Sequence, residues 1–569
     1  MIFIFLSFFL SSIYFLIVGS ISSRVLFNEN INDKKNYSEF ALFGIIISSI
    51  LAFLINFFVS LNRYINDLLF ILPFIVLLFN SHLKVNLEFK KLFKLSLIVA
   101  IISTIVISYD NVYRPDAGSY HLPFISILND NKIIIGLSNL HFRFGHISII
   151  QYLSASFNNH IFFDNGILIP GALIFTFMTL YLLTNIFNQK NNFIVFISFI
   201  FIIFIFFRMN RYSSLGNDGP AHFYFMYLMI LTLNYKKYIQ NYNNFFNKIS
   251  LIGIFIFFNK LTMLLALLIP LFFIFQNNFL KIYKSKIFLC IILIFFSWIG
   301  KNIITSGCAA FPIEQTCFKT LQWFDKSETR RSNAKSGRIE NEAWTKGAPN
   351  QTEKSFEEFI QTFEWINTWK KHHGKKIIKK ITPFLIFVLI FTLFIVMTGK
   401  NKKFKIFNEK EKIFWFLIFL NLFGSILWFI KFPVFRYGYG YLISFFGILY
   451  VFILLKIYEI DFSNFRKKLK LIFIIFFIGL LSKHSLRIYQ NFDLKTSPWP
   501  VIYSDNPLIV QNKMTPHFQN NEIIFYTPQL SMCYYSNLSP CTNMAKNEFD
   551  VKDIKMEKVK SYKKYYFVK

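Results

Sequence analysis

Four short stretches of this chain carry side chains able to move protons or hold an anion. The first is Arg114-Pro115-Asp116-Ala117-Gly118-Ser119-Tyr120-His121-Leu122-Pro123. A carboxylate beside a proton-active imidazole can take a proton from a hydroxyl, and a neighbouring cation can bind a phosphate. Pro115, Gly118 and Pro123 shape a turn ahead of a short helix, so Asp116 also suits the plainer role of a helix cap. The second stretch runs from Arg208 to Pro220, with Arg211, Asn217, Asp218 and Gly219, and His222 follows. Its Asn-Asp-Gly run equally reads as an ordinary turn. The third is Lys301-Asn302 through Phe311-Pro312, and the fourth, Lys431 to Gly438, sets Arg436 in a short turn. Arg143 and Lys260 stand apart, Lys260 inside an apolar segment. Charge near membrane depth is expensive and generally has a partner. An arginine fork matches a phosphate well, and interfacial snorkelling is the alternative for each of these cations. Walker, Rossmann, His-Glu-x-x-His and CxxC patterns are absent from the sequence, so neither ATP hydrolysis nor a dedicated metal site is supported. A divalent cation is left open as a cofactor.

The cysteines give a second kind of information. Cys290 sits in an apolar stretch and reads as inert filler. Cys308 with Cys317, and Cys533 with Cys541, form two local pairs. Zinc spacing fits them poorly, and disulfides, which persist in oxidising compartments, fit better.

The elements that must position these residues are membrane helices. Of 569 residues, 54% are hydrophobic and 20% aromatic. The apolar residues cluster in blocks such as Phe193 to Phe207 and Ile381 to Thr398, and about 17–25 apolar residues span a bilayer as a helix. The formal net charge of +31 does not indicate nucleic acid, because the lysines lie mostly in short loops between apolar blocks. The expected fold is an all-α polytopic membrane protein with about 13–14 transmembrane helices, an external loop region and a small external C-terminal tail. The spans expected are 1–20, 41–60, 68–80, 95–108, 161–186, 193–207, 221–234, 250–276 (broken), 287–300, 381–398, 413–430, 437–455 and 470–486. The last is bounded by Lys470 and Lys483, so it crosses only with snorkelling.

Short basic loops mark the cytoplasmic side. Lys84, Lys90, Lys91 and Lys94, then Lys236, Lys237 and Lys248, then Lys281 to Lys286, Lys400 to Lys412 and Arg466 to Lys470 all fall on one side if 250–276 turns back at Asn259–Lys260. Residues 109–160, 208–220, 301–380 and the tail after about 487 then lie outside. Within them, 355–371 and 145–157 show helical spacing of apolar residues, which suits either helices on the membrane surface or helices facing a small core.

The layout of a helix leading to an external loop with an early Asp, amphipathic segments, a bundle and an external tail resembles the GT-C superfamily of membrane glycosyltransferases. The stretches RPDAGSYHLPF, KNIITSGCAAFP, FPVFRYGYGY and CYYSNLSPC are similar to segments of uncharacterised bacterial proteins of that type. The resemblance covers roughly residues 95–569. It implies accessory helices in 1–94, a GT-C-like core in 95–486 and an external segment in 487–569. It also implies that Asp116 is the catalytic base and Asp218 a second external acid, with His121 tuning or orienting Asp116. Arg114, Arg143, Arg211, Lys260, Lys301 and Arg436 are then candidates to hold a lipid phosphate. Loop one carries a single acid where many members carry two adjacent ones, and oligosaccharyltransferase signatures are missing, so the acceptor stays open among glycan, lipid and protein. The partners implied are a polyprenyl-phosphate-sugar donor and the lipid bilayer, and the setting is a bacterial cytoplasmic (inner) membrane with the active face outside. Two rival functions stay on the page. A cell-surface polysaccharide polymerase or ligase would use His372 and His373 of loop 301–380. A flippase or transporter would need charge along mid-helix.

Overall fold

The computed structural model describes the chain apart from residues 30–36, 80–87, 111–115, 147, 210–212, 214, 236–240, 277–284, 328–331, 349–354, 399, 402–411, 460–461, 493–496, 504–513, 520–521, 530–531, 544–554, 560–563 and 569. The helices are α1 Ile2–Phe27, α2 Tyr37–Asn56, α3 Arg63–Phe79, α4 Phe89–Ile107, α5 Leu122–Asp130, α6 Ile149–Ser156 and α7 Ile169–Asn188. They continue as α8 Asn192–Arg208, α9 Asp218–Leu233, α10 Tyr242–Asn259, α11 Leu268–Gln276, α12 Lys286–Ser306 and α13 Ala334–Thr345. The last six are α14 Phe356–Gln361, α15 Trp365–Trp369, α16 Lys375–Thr398, α17 Lys412–Lys431, α18 Phe435–Ile457 and α19 Phe462–Asn491.

Among the described residues eight helices are long and apolar enough to cross a membrane: Ile2–Phe27, Tyr37–Asn56, Asp164–Asn188, Lys286–Ser306, Trp365–Met397, Lys412–Lys431, Phe435–Ile457 and Leu471–Asn491. The molecule is an all-helical membrane protein. The sequence expects more spans because α3, α8 and α9 read as apolar blocks but have only 17, 17 and 16 residues. α4 carries Lys90, Lys91 and Lys94 in its first two turns. Strand is confined to two-residue pairings between 400–401 and 458–459 and to antiparallel hairpins in the tail, 514–519 with 522–528 and 555–559 with 564–568.

The interior is filled by aromatic and branched side chains. From Ile194 to Phe206 every residue of α8 is buried, as expected for a helix apolar all round. α1 and α2 cross closely at Gly19 and Gly44: a Cβ built on Gly19 would lie 1.7 Å from the Phe40 carbonyl oxygen, and one on Gly44 2.0 Å from that of Phe15. α2 also reaches the middle of the bundle, where the Tyr224 hydroxyl donates to the Leu42 carbonyl at 2.7 Å.

Segment 250–276 turns back on itself. α10 ends at Asn259, the chain reverses at Lys260, and α11 returns so that the Tyr242 hydroxyl donates to the Phe273 carbonyl at 2.6 Å. The stretch 355–371 differs from a single amphipathic helix. It is α14, then α15 running through a π-turn at Lys370–Gly374 into α16, so the span expected to start at 381 starts earlier. Phe359 and Trp365 are buried with Ala343 in a small satellite core, and every residue of α6 is buried. The 145–157 stretch therefore faces a core, whereas in 355–371 only Phe359 and Trp365 do, and Phe356, Phe363 and Ile366 are exposed.

Candidate functional site

Several helix ends converge on two carboxylates and two cations. Asp116 precedes a π-turn, Ala117–His121, and its side chain makes no capping bond, so its carboxylate is used elsewhere. Arg436, in the first turn of α18, donates from Nη2 to Asp116 Oδ2 at 3.0 Å. Its Nε lies 3.4 Å from Asp218 Oδ2, an ion pair without an aligned hydrogen bond. Asp218 opens α9, and its other oxygen accepts from Lys260 Nζ at the α10 reversal. The Lys260 ammonium also sits over the Tyr437 ring, 4.0 Å from its centre. His222 fixes this arrangement. Its Nδ1 accepts from the Gly440 N–H at 3.0 Å, so the ring proton is on Nε2, which donates to the Arg436 carbonyl at 2.8 Å. Two bonds from one ring thus tie the start of α18 to α9.

Two members of the quartet, Asp218 and Lys260, line a cavity of about 170 Å³ together with Tyr437, Tyr120, His121, Arg143, His146, Gln151, Trp298 and Asn341, while Asp116 and Arg436 stand behind them and do not line it. His121 does not touch Asp116. Its Nδ1 is 2.7 Å from Gln151 Nε2, and because Gln151 Oε1 accepts from the Ser148 N–H at 3.1 Å, the amide nitrogen must be the donor to His121. Burial holds the His121 imidazole down to about 4, against the opposing pull of Asp116 and Asp218. The expected proton-active histidine is therefore a neutral, hydrogen-bonded one. Burial likewise pushes the Tyr120 phenol up.

Of the other expected cations, Arg143 donates to Asn341 Oδ1 at 2.7 Å and lies over the rings of Tyr120 and Phe142. Lys301 is fully buried with its Nζ over Trp298, 3.8 Å from the ring centre, and makes no hydrogen bond among the described residues. Neither joins the quartet. Arg114 and Arg211 lie outside the described residues. His372 and His373 sit on the π-turn after α15 and do not line the cavity.

Residues 1–443 match the family model described as Domain of unknown function (DUF8201). The chain belongs to that family. No curated protein and no solved structure matches it. All four members of the quartet lie inside the DUF8201 match, which ends within α18, whereas the tail does not. The matched region begins at residue 1, so α1 to α3 belong to it as well.

The tail nevertheless holds the Asp116 turn. Cys533 and Cys541 are bonded, as are Cys308 and Cys317. In the Cys533–Cys541 loop the Tyr534 N–H donates to the Gly118 carbonyl at 2.9 Å, and a Cβ on Gly118 would meet the Tyr534 ring at 2.7 Å. Thr542 Oγ1 donates to the Leu140 carbonyl at 3.0 Å. Among the described residues no group of three or more His, Cys, Asp or Glu could hold a metal ion, and Asp116 and Asp218 are already met by cations. The sequence reading missed Gln151, Asn341, Tyr437 and the stapling role of His222. A signal existed for Gln151: Ser148-x-x-Gln151 is a capping-box pattern, and the box forms.

Proposed function

We propose that the chain is a membrane glycosyltransferase of GT-C type, moving a sugar from a polyprenyl-phosphate donor to a cell-envelope acceptor. The observation that carries this reading is the meeting of Asp116 with Arg436 across 320 residues, joined through Arg436 to Asp218 and through Asp218 to Lys260, the two members that line the cavity. A buried salt network in a structural role has no need of a cavity or of a half-exposed acid. The Asp116 side chain is 38% exposed, open enough to meet a hydroxyl.

In this reading the acceptor hydroxyl gives its proton to Asp116 as its oxygen attacks the sugar carbon. The bond from that carbon to the phosphate oxygen breaks, and the electron pair leaves with the lipid phosphate. Arg436 and Lys260 hold the growing charge, where fixed cations help most. A donor phosphate reaching Arg436 competes with Asp116 for the guanidinium, so donor binding frees the base as it fills the clamp. Asp218 keeps Lys260 and Arg436 in place and takes no proton. Attack opposite the leaving phosphate inverts the sugar carbon. The active face is the outer one of a bacterial cytoplasmic membrane: both disulfides flank the cavity, one beside Phe311 and the other on the Asp116 turn, and disulfides persist outside the cytosol.

The test is Asp116→Asn in membranes with insertion verified. Losing the general base is expected to lower transfer from a lipid-phosphate sugar by about 10²–10⁴-fold, with the folded protein still present. Transfer at the wild-type rate would remove Asp116 from the mechanism.

A further inference from the structure

The cavity is not uniform in charge. At the quartet two carboxylates balance two cations. Away from it the balance fails. Arg143 lines the cavity and donates to the neutral Asn341 side chain, with no carboxylate within ion-pair distance among the described residues. Lys301 is 0% exposed, and its Nζ lies on Trp298, itself a wall of the cavity, without a hydrogen-bond partner among the described residues. His146, also in the wall, has a buried Nε2 without a partner. Burial, Arg143 and Lys301 together keep this ring neutral, near 3, so at neutral pH it has one N–H to donate. Arg338 lines the cavity too, but it shares Glu342 with Lys346 and Lys431.

Arg143 is half-buried at the cavity wall, and Lys301, fully buried, sits behind Trp298 and does not itself line the cavity; a cation without a carboxylate beside an empty space suits an anion. A purely structural role fits less well. Arg143 and Lys301 come from separate elements, and neither neutralises an acid of the fold.

We propose that the Arg143–His146 side of the cavity, backed by Lys301 behind Trp298, is a second oxyanion subsite, distinct from the Arg436 clamp. Resting on the transferase reading, it seats a carboxylate or phosphate carried by the sugar or by the acceptor, so the preferred substrate is anionic at a position other than the bond that breaks. Arg143 supplies the planar fork and His146 a single donor, with Lys301 lending its charge from behind the Trp298 ring. A neutral hexose would leave both cations unmet.

The experiment uses the full chain in lipid nanodiscs, with thermal unfolding followed in the presence of glucuronate, inorganic phosphate or glucose. Glucuronate or phosphate is expected to raise the unfolding temperature of the wild type by about 1–2 °C at ten times its half-saturating concentration, and glucose is expected not to. The more effective of the two anions names the group. Arg143→Gln and Lys301→Met should abolish the shift, while Arg436→Gln and Asp116→Asn keep it. Lys301→Met, which removes an uncompensated charge, should be at least as stable as wild type without anion, so its loss of response cannot be put down to misfolding. No response to either anion, or an undiminished response in Arg143→Gln, would overturn the subsite. Loss of the response in Arg436→Gln would merge it with the donor clamp and overturn the claim of a second seat. Asp116→Asn separates this result from the transferase reading: a retained shift with normal transfer would sink that reading and leave the subsite standing.

Discussion

At the scale of single residues, identity matters most where one side chain serves two partners. The Arg436 guanidinium reaches Asp116 from Nη2 and Asp218 from Nε, and a lysine has no second arm. Arg436→Lys is therefore expected to fold yet lose about 10²–10³-fold in turnover with a lipid-phosphate donor; steady-state kinetics showing turnover within a few-fold of wild type would refute the two-armed role. His121 sets a pH dependence. Its imidazole titrates near 6.5 when unfolded and near 4 when folded, so between those values the unfolded chain binds more protons than the folded one. The stabilisation is complete above about pH 6.5 and is lost as pH falls toward 4, by roughly 3 kcal/mol for the full shift. Unfolding temperatures across pH 4–7 should fall less steeply in His121→Gln than in wild type. His146, depressed in the same direction, keeps the remaining slope from vanishing. Equal slopes would mean that His121 is not shielded as its burial implies.

At the scale of elements, close helix contact decides what is tolerated. Lipid offers no hydrophobic drive for helix association, so small residues that let backbones meet do the work. Gly19 and Gly44 are such a pair, and their missing side chains would strike backbone carbonyls rather than movable side chains. Gly44→Ala and Gly19→Ala should each cost about 1–3 kcal/mol, seen as a lower temperature of aggregation in detergent, whereas Gly300→Ala, with open space around its Cβ position, should cost little beyond its own helix preference. If the three variants melt together, the α1–α2 crossing is looser than described. The elements themselves were largely legible in the sequence. Blocks such as 193–207 and 437–455 give α8 and α18 to within a few residues, because an apolar run has few other solutions in a bilayer. Less legible was 355–381, where Lys370, Lys371, Lys375 and Lys376 interrupt the apolar pattern and hide a helix that continues through a π-turn. Of the site, the charged members were legible one by one, since an acid or cation at a helix end is visible as a type. What was not legible was the pairing. Asp116 meeting Arg436, Lys260 meeting Asp218 and Lys301 meeting neither are decided by which helix ends come together. The hydrogen-bond partner of His121 was hidden for the same reason: a capping-box glutamine from α6 reaches its Nδ1.

At the scale of the whole molecule, lysines mark the start or finish of several helices at one end of the bundle. Lys90, Lys91 and Lys94 open α4, Lys286 opens α12, Lys412 opens α17 and Lys456 ends α18. By the direction of those helices these lysines lie at the end opposite Asp116, Lys301 and Arg436. Both disulfides lie at the cavity end instead, the Cys308–Cys317 loop following α12 and the Cys533–Cys541 loop resting on Gly118. Lysine at short-loop ends faces the cytosol, and disulfides avoid it. The proposed outward-facing cavity rests on these two unrelated forces, insertion bias and redox chemistry. In a Cys290→Ser background, Lys319→Cys is expected to react with a membrane-impermeant maleimide in intact cells, because the Lys319 side chain is 65% exposed beside the Cys308–Cys317 loop. Lys91→Cys, 59% exposed at the far end, should react only after permeabilisation. The same reagent should leave the four paired cysteines unmodified until a reductant is added. The reverse labelling pattern would put Asp116 in the cytosol. A donor presented on the outer leaflet could not then reach the Arg436 clamp, and the transferase reading would lose its substrate whatever the geometry of the quartet.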